Sequence, residues 1–171
     1  METGATMTIE FSNPAALDPD IRKAIGDAIN LVITAPRLFP VQRTLLVSED
    51  FFNRAEVTIA LVDDAVIQDL NNTWRGKDSA TDVLSWPAVD VDEHLEPFLG
   101  DIAISLDTAG RQAAIRMWSL TDEVCLLAVH GFLHLLGHDD DEDEDAARMR
   151  ALERFAVGKP LTLNGVDHGE A

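Results

Sequence analysis

The sequence predicts an α+β fold: a small mixed β-sheet packed by several helices, with one helix carrying a metal site. Three observations predict it. Strand-like and helix-like stretches interleave without a clean βαβα rhythm. Two strand candidates, near Asp82 and Gly100, lie close enough in the chain to form a hairpin. A long, mostly apolar stretch from Leu120 to Leu136 carries two histidines four residues apart, His130 and His134. At 171 residues the chain predicts one domain, with a core over about residues 7–156 and a flexible acidic and polar tail over 157–171.

Taken in order, Met7 to Phe11 alternates enough for a first strand with Ile9 and Phe11 on one face. Asn13, Pro14, Asp18 and Pro19 mark a turn. Asp20 to Thr34 reads as a helix, because Ala24, Ile25, Ala28, Ile29 and Val32 fall at helical spacing and Pro36 stops the run. Arg43 to Ser48 fits either a strand or a linker. Glu56 to Val62, EVTIALV, is rich in β-branched residues and predicts a strand. Asp63 and Asp64 can cap a helix from Ala65 to about Trp74, expected to bury Val66, Leu70 and Trp74 or a close neighbour and to end at Gly76. Asp82 to Trp86 reads as a strand stopped by Pro87, Val89 to Pro97 as an exposed acidic loop, and Gly100 to Ser105 as the next strand. A helix starting at Asp107 or Thr108 is expected to weaken at Gly110 and run to Trp118. Ser119 and Asp122 form a capping box for the long helix that follows. A last helix spans about Glu142 to Ala156, with Met149, Leu152 and Phe155 turned inward.

Composition narrows the function. The single cysteine, Cys125, rules out an intrachain disulfide and reads as a buried helix residue. No apolar run is long enough to cross a membrane, and the first residues, METGATMTIE, do not read as a secretory signal. These features predict a cytoplasmic location without membrane attachment. The net charge of −18 argues against a nucleic-acid partner on composition alone. The charge is uneven, however. Residues 139–145, DDDEDED, form one acidic run, whereas Arg75 and Lys77 sit together. A local basic cleft on an acidic body is compatible with both facts.

The chemistry concentrates in HGFLHLLGHDD, residues 130–140. Spacing of four places both imidazoles on one helix face, one turn apart. Two such histidines also occur on ordinary amphipathic helices, but here Gly137, a helix-ending residue, follows and further ligand candidates lie just beyond it. If the chain reverses at Gly137, either His138 or Asp140 completes a three-ligand set with one position open, as in a catalytic zinc site. The spacing is that of a zincin helix, H-E-x-x-H, except that Gly131 stands where the general-base glutamate would be.

HGFLHLLGHDD, with DAARMRALE after it, resembles the signature of the YbeY family, bacterial metal-dependent endoribonucleases of rRNA maturation. LNNTWRGKDSATDVLSWP at 70–87 is similar to the family's LN-x-x-(aromatic)-RG-K-(D/N)-x-x-TDVLSFP, and LGDIAIS at 99–105 to its LGDI-(hydrophobic)-IS. In the family pattern, H-G-x-L-H-L-x-G-Y-D-H, the three histidines bind zinc. Here the first two are His130 and His134, Asp140 takes the place of the third, and His138 takes the place of the tyrosine. The resemblance implies one Zn²⁺ per chain on His130, His134 and Asp140, with His138 as the alternative ligand. It also implies a functional Arg75 acting with His130 in catalysis.

Arg75 and Lys77 are the expected phosphate contacts, and Asp82 is a candidate to orient a ligand imidazole. The function implied is a single-strand-specific endoribonuclease in maturation of the small-subunit rRNA 3′ end and in ribosome quality control. The implied partners are rRNA, the small ribosomal subunit and other processing factors. Two rivals come from other classes: a ribosome assembly factor without catalysis, favoured by Asp140 and the net charge, and a zinc metallopeptidase, favoured by ligand spacing alone.

Overall fold

The computed structural model describes residues 7–12, 18–34, 54–88, 98–141 and 143–159. The ambiguous 43–48 stretch, the acidic 89–97 loop and residues 160–171 of the expected tail lie outside them. The described chain runs β1 (Thr8–Ser12), α1 (Pro19–Thr34), β2 (Glu56–Val62), α2 (Asp64–Arg75), β3 (Val83–Pro87), β4 (Phe98–Ser105), α3 (Leu106–Arg116), α4 (Leu120–Leu135) and α5 (Asp143–Val157).

The four strands form one mixed sheet in the order β1-β2-β4-β3. β1, β2 and β4 are parallel, whereas β3 pairs antiparallel with β4, from Val83 opposite Ile104 to Pro87 opposite Gly100. The expected hairpin is therefore present, at one edge of the sheet, and the fold is α+β. Val57, Ile59, Val83, Ile102 and Ile104 join the core built with α1, α4 and α5. Leu84 and Ala103 join a smaller cluster around Ile67 of α2. Period-two alternation in β3 and β4 thus serves both clusters, with α2 on the face opposite α4.

α4 runs through the centre of the larger core. Cys125, Leu126, Leu127, Ala128, Val129, Phe132 and Leu133 are all buried, which is why its sequence is apolar almost all round. Its start is fixed by the predicted capping box: the Ser119 hydroxyl accepts from the Asp122 N–H while the Asp122 carboxylate accepts from the Ser119 N–H. Among the described residues no helix is long and apolar enough to cross a membrane.

Three local expectations are corrected. α2 buries Ile67 and Asn71, not Val66 and Trp74, which are 44% and 67% exposed. Val66 lies off the inward stripe of Ile67, Leu70 and Asn71, where Asn71 donates from Nδ2 to the Ser79 carbonyl at 2.8 Å, and Trp74 lies at the exposed end of that stripe. α3 is continuous through Gly110 and ends at Arg116, with Met117 in the left-handed conformation. A glycine costs a helix only about 1 kcal/mol, and the Ser105 cap together with buried Ala109 and Ala113 holds this one. Phe155 is 41% exposed; α5 turns Met149, Leu152, Glu153 and Ala156 inward instead.

Candidate metal centre

His130 and His134 occupy the last turns of α4, where helical spacing stacks their rings with centroids 4.6 Å apart. Each ring is held from behind. His130 Nδ1 lies 2.9 Å from Glu153 Oε1, a contact between two buried side chains on different helices. His134 Nδ1 lies 3.0 Å from the backbone carbonyl of His138. Carboxylate and carbonyl oxygens only accept, so both Nδ1 atoms carry the proton. Both Nε2 atoms are then bare lone pairs, and they face each other at 3.0 Å.

Two lone pairs at that distance repel unless a cation lies between them. A proton is disfavoured, because burial and then the neighbouring His130 push the His134 imidazole below its ordinary value of 6.5. A divalent metal fits. Two nitrogens bound tetrahedrally at about 2.0–2.1 Å stand about 3.3 Å apart, close to what is observed. The third donor is at hand: Asp140 Oδ1 is 3.9 Å from His134 Nε2, and ligand atoms of His130, His134 and Asp140 lie within 4.8 Å of one another.

The turn that delivers Asp140 depends on Gly137, whose φ of +87° is in the region that favours glycine. Beyond it, Asp145 at the start of α5 accepts the Asp139 N–H at 3.1 Å. That backbone hydrogen bond is the main reason the Asp145 carboxyl lies below the usual carboxylate range. His138 serves the pair through its carbonyl. Its ring is buried and directed at Asp145, with Nδ1 3.6 Å from Oδ1.

The remaining expected site residues lie on or beside other elements. Asp82 is buried and accepts from Gln112 Nε2 at 2.9 Å and from the Val83 N–H at 2.8 Å. The carboxylate against His130 is Glu153, which its place in a helical stripe next to Leu152 gave no reason to single out; its contact spans 23 residues of chain. Arg75 ends α2, half-buried, and Lys77 follows it exposed. Trp74 meets Trp86 of β3 edge to face at 6.5 Å, which brings the end of α2 to the end of β3. That end of β3 lies opposite Gly100, and a Cβ on Gly100 would stand 2.1 Å from the Trp86 carbonyl oxygen and 3.0 Å from the Leu135 side chain. Leu135 directly follows His134, so the Arg75 end of α2 and the imidazole end of α4 lie at the same end of the β3–β4 pair.

Gly131 explains the departure from the zincin pattern. A Cβ there would meet Ile102 Cγ2 at 2.9 Å and Val83 Cγ2 at 3.3 Å. The helix presses this position onto the sheet, so a glutamate side chain has no room to reach the imidazoles from it.

Comparison with known proteins identifies the family. The family described as endoribonuclease YbeY matches residues 37–159. Proteins named endoribonuclease YbeY from Pseudomonas fluorescens and Thermus thermophilus are 48% and 49% identical over 61% and 57% of this chain, and the match covers 70% of each relative. One from Myxococcus xanthus is 45% identical over 78% of this chain, which spans only 44% of that relative's length. A Thermotoga maritima protein solved in solution superposes with a TM-score of 0.54, over 88% of this chain and 90% of that one, at 18% identity; it supports the fold alone.

Proposed function

The chain belongs to the YbeY endoribonuclease family, and from that premise we propose that it is a metal-dependent hydrolase cutting single-stranded RNA, with maturation of the small-subunit rRNA 3′ end as its setting. The observation that carries the metal dependence is the pair of Nε2 lone pairs facing each other at 3.0 Å, with Asp140 beside them. His130, His134 and Asp140 would hold the metal, with zinc the reading that the family implies. When bound, a divalent metal polarises a phosphoryl oxygen and lowers the pKa of a coordinated water.

The chain's own residues supply the rest. Glu153 and the His138 carbonyl fix both rings with Nε2 toward the site. Arg75, with Lys77 beside it, grips the phosphate and offsets charge as it builds during cleavage. Asp140, an anion where the family has a neutral imidazole, leaves the centre less positive and its electrophilic pull weaker. The peptidase reading loses its base, because Gly131 is packed against the sheet.

The test is metal content per chain by mass spectrometry, on protein purified without chelator, beside cleavage of a single-stranded oligoribonucleotide. About one divalent ion per chain, lost together with cleavage in H134A, supports the proposal. A folded wild-type protein that holds no metal and binds small-subunit particles without cutting RNA overturns it in favour of the assembly-factor reading. A 2′,3′-cyclic phosphate as the primary product end would assign attack to the RNA's own 2′-hydroxyl rather than to water.

A further inference from the structure

α2 ends in an arrangement that its packing does not explain. Ile67, Leu70 and Asn71 form the helix's inward side, and Trp74 is placed to continue it. Yet Trp74 is 67% exposed. At this point the helix has run past the cluster beneath it, and the ring meets Trp86 edge-on instead of entering the core. A large aromatic left this open is uncommon.

Two basic residues adjoin it on a chain of net charge −18, and the exposed Asp101 lies opposite Trp86 in the β3–β4 register. Arg75 is the next residue, and Lys77 follows the left-handed Gly76 cap. The nearby acid Asp78 accepts from Gln68 Nε2 at 2.8 Å.

From these features we infer that Trp74 is a stacking platform for one base of the single-stranded RNA, beside the phosphate taken by Arg75. The inference rests on the endoribonuclease reading and adds a base subsite to it. Every base offers a π-face, so the platform is tolerant of sequence. It requires an unpaired base, because a base in a duplex has both faces covered. Trp74 remains 67% exposed beside Trp86, which leaves ring surface open to a base. Recognition of unpaired RNA then resides on α2, separate from the metal ligands on α4.

The test compares wild type, W74A and W74F on the metal-loaded protein, with a fluorescein-labelled single-stranded oligoribonucleotide and the same strand in a duplex. In W74A, Kd and KM for the single strand rise about 5–100-fold, the range expected for one stacked base. kcat, metal content and melting temperature change little. W74F restores most of the affinity. Separately, unlabelled polyuridylate quenches the tryptophan emission of the wild type, and W74F loses most of that quench while still binding.

Wild-type affinity in W74A, with wild type cutting the RNA, overturns the stacking role and leaves the endoribonuclease reading intact. An equal loss of duplex and single-strand affinity in W74A also overturns it. A wild type that binds the single strand through Trp74 but cuts nothing supports the platform and removes the nuclease reading.

Discussion

The two ends of α4 both bury charge-bearing side chains, and they do so in opposite ways. At the N-terminal end opposite charges are paired. Ser119 and Asp122 cap one another, Lys159 lies 2.8 Å from Asp122, and Glu123, fully buried, lies 3.1 Å from the Arg116 guanidinium. At the C-terminal end like faces like: two imidazole lone pairs at 3.0 Å with a carboxylate beside them. The first arrangement is balanced in charge within the polypeptide, whereas the second gathers lone pairs and a carboxylate that a cation would balance. Buried charge alone therefore does not mark a functional site; the convergence of like electron-pair donors does.

The largest effect expected from breaking this contrast is at the N-terminal end. E123A leaves the Arg116 guanidinium buried without its carboxylate, a loss of about 3–5 kcal/mol. Denaturant or thermal unfolding would show it, while metal per folded chain stays at the wild-type level. A loss of metal equal to that in H134A would mean that the two ends are not independent.

Next comes E153Q at the C-terminal end. Glutamine keeps an oxygen to accept from His130 Nδ1 but removes the negative charge behind the ring. Metal affinity, measured by competition with a chromophoric chelator, should fall about 10-fold, the lower part of the range for such supporting carboxylates. E153A should fall further, and unchanged affinity in both variants would remove Glu153 from the centre.

The smallest expected effect is on pH dependence. The His134 imidazole is lowered in the folded protein, chiefly by burial. The unfolded chain therefore binds the proton more readily. Stability of the metal-free protein is fully present above the ordinary value of 6.5 and declines as pH falls below it, through the folded value. Asp145, held low by the Asp139 N–H, acts in the same direction at more acidic pH: its contribution is present above its ordinary 3.8 and is lost as pH falls through the folded value. In H134A the decline beginning near 6.5 should shrink, and an unchanged pH profile would show that it comes from another group.

Much of this was legible in the sequence. The strand at Glu56–Val62, the α1 stripe and the Ser119–Asp122 box all follow from local periodicity and capping chemistry, which act over a few residues. The imidazole pair was legible for the same reason, since spacing of four is a helix property. The errors arose where a distant partner decided the outcome. Val66 is expected inside α2, but the inward side runs through Ile67 and Asn71, whose amide meets the Ser79 carbonyl. Phe155 was expected inside α5, but the helix turns Glu153 toward a histidine 23 residues away.

By itself, then, the sequence determined the α+β class, the order of strands and helices, and which helix carries the two histidines, because those depend on period, caps and turns. The tertiary structure decided that Glu153 stands behind His130, that Asp140 rather than the His138 ring lies with the pair, and that Gly131 faces the sheet. Those are contacts between elements. Their energy depends on packing distance and shared burial, which no local pattern of residues records.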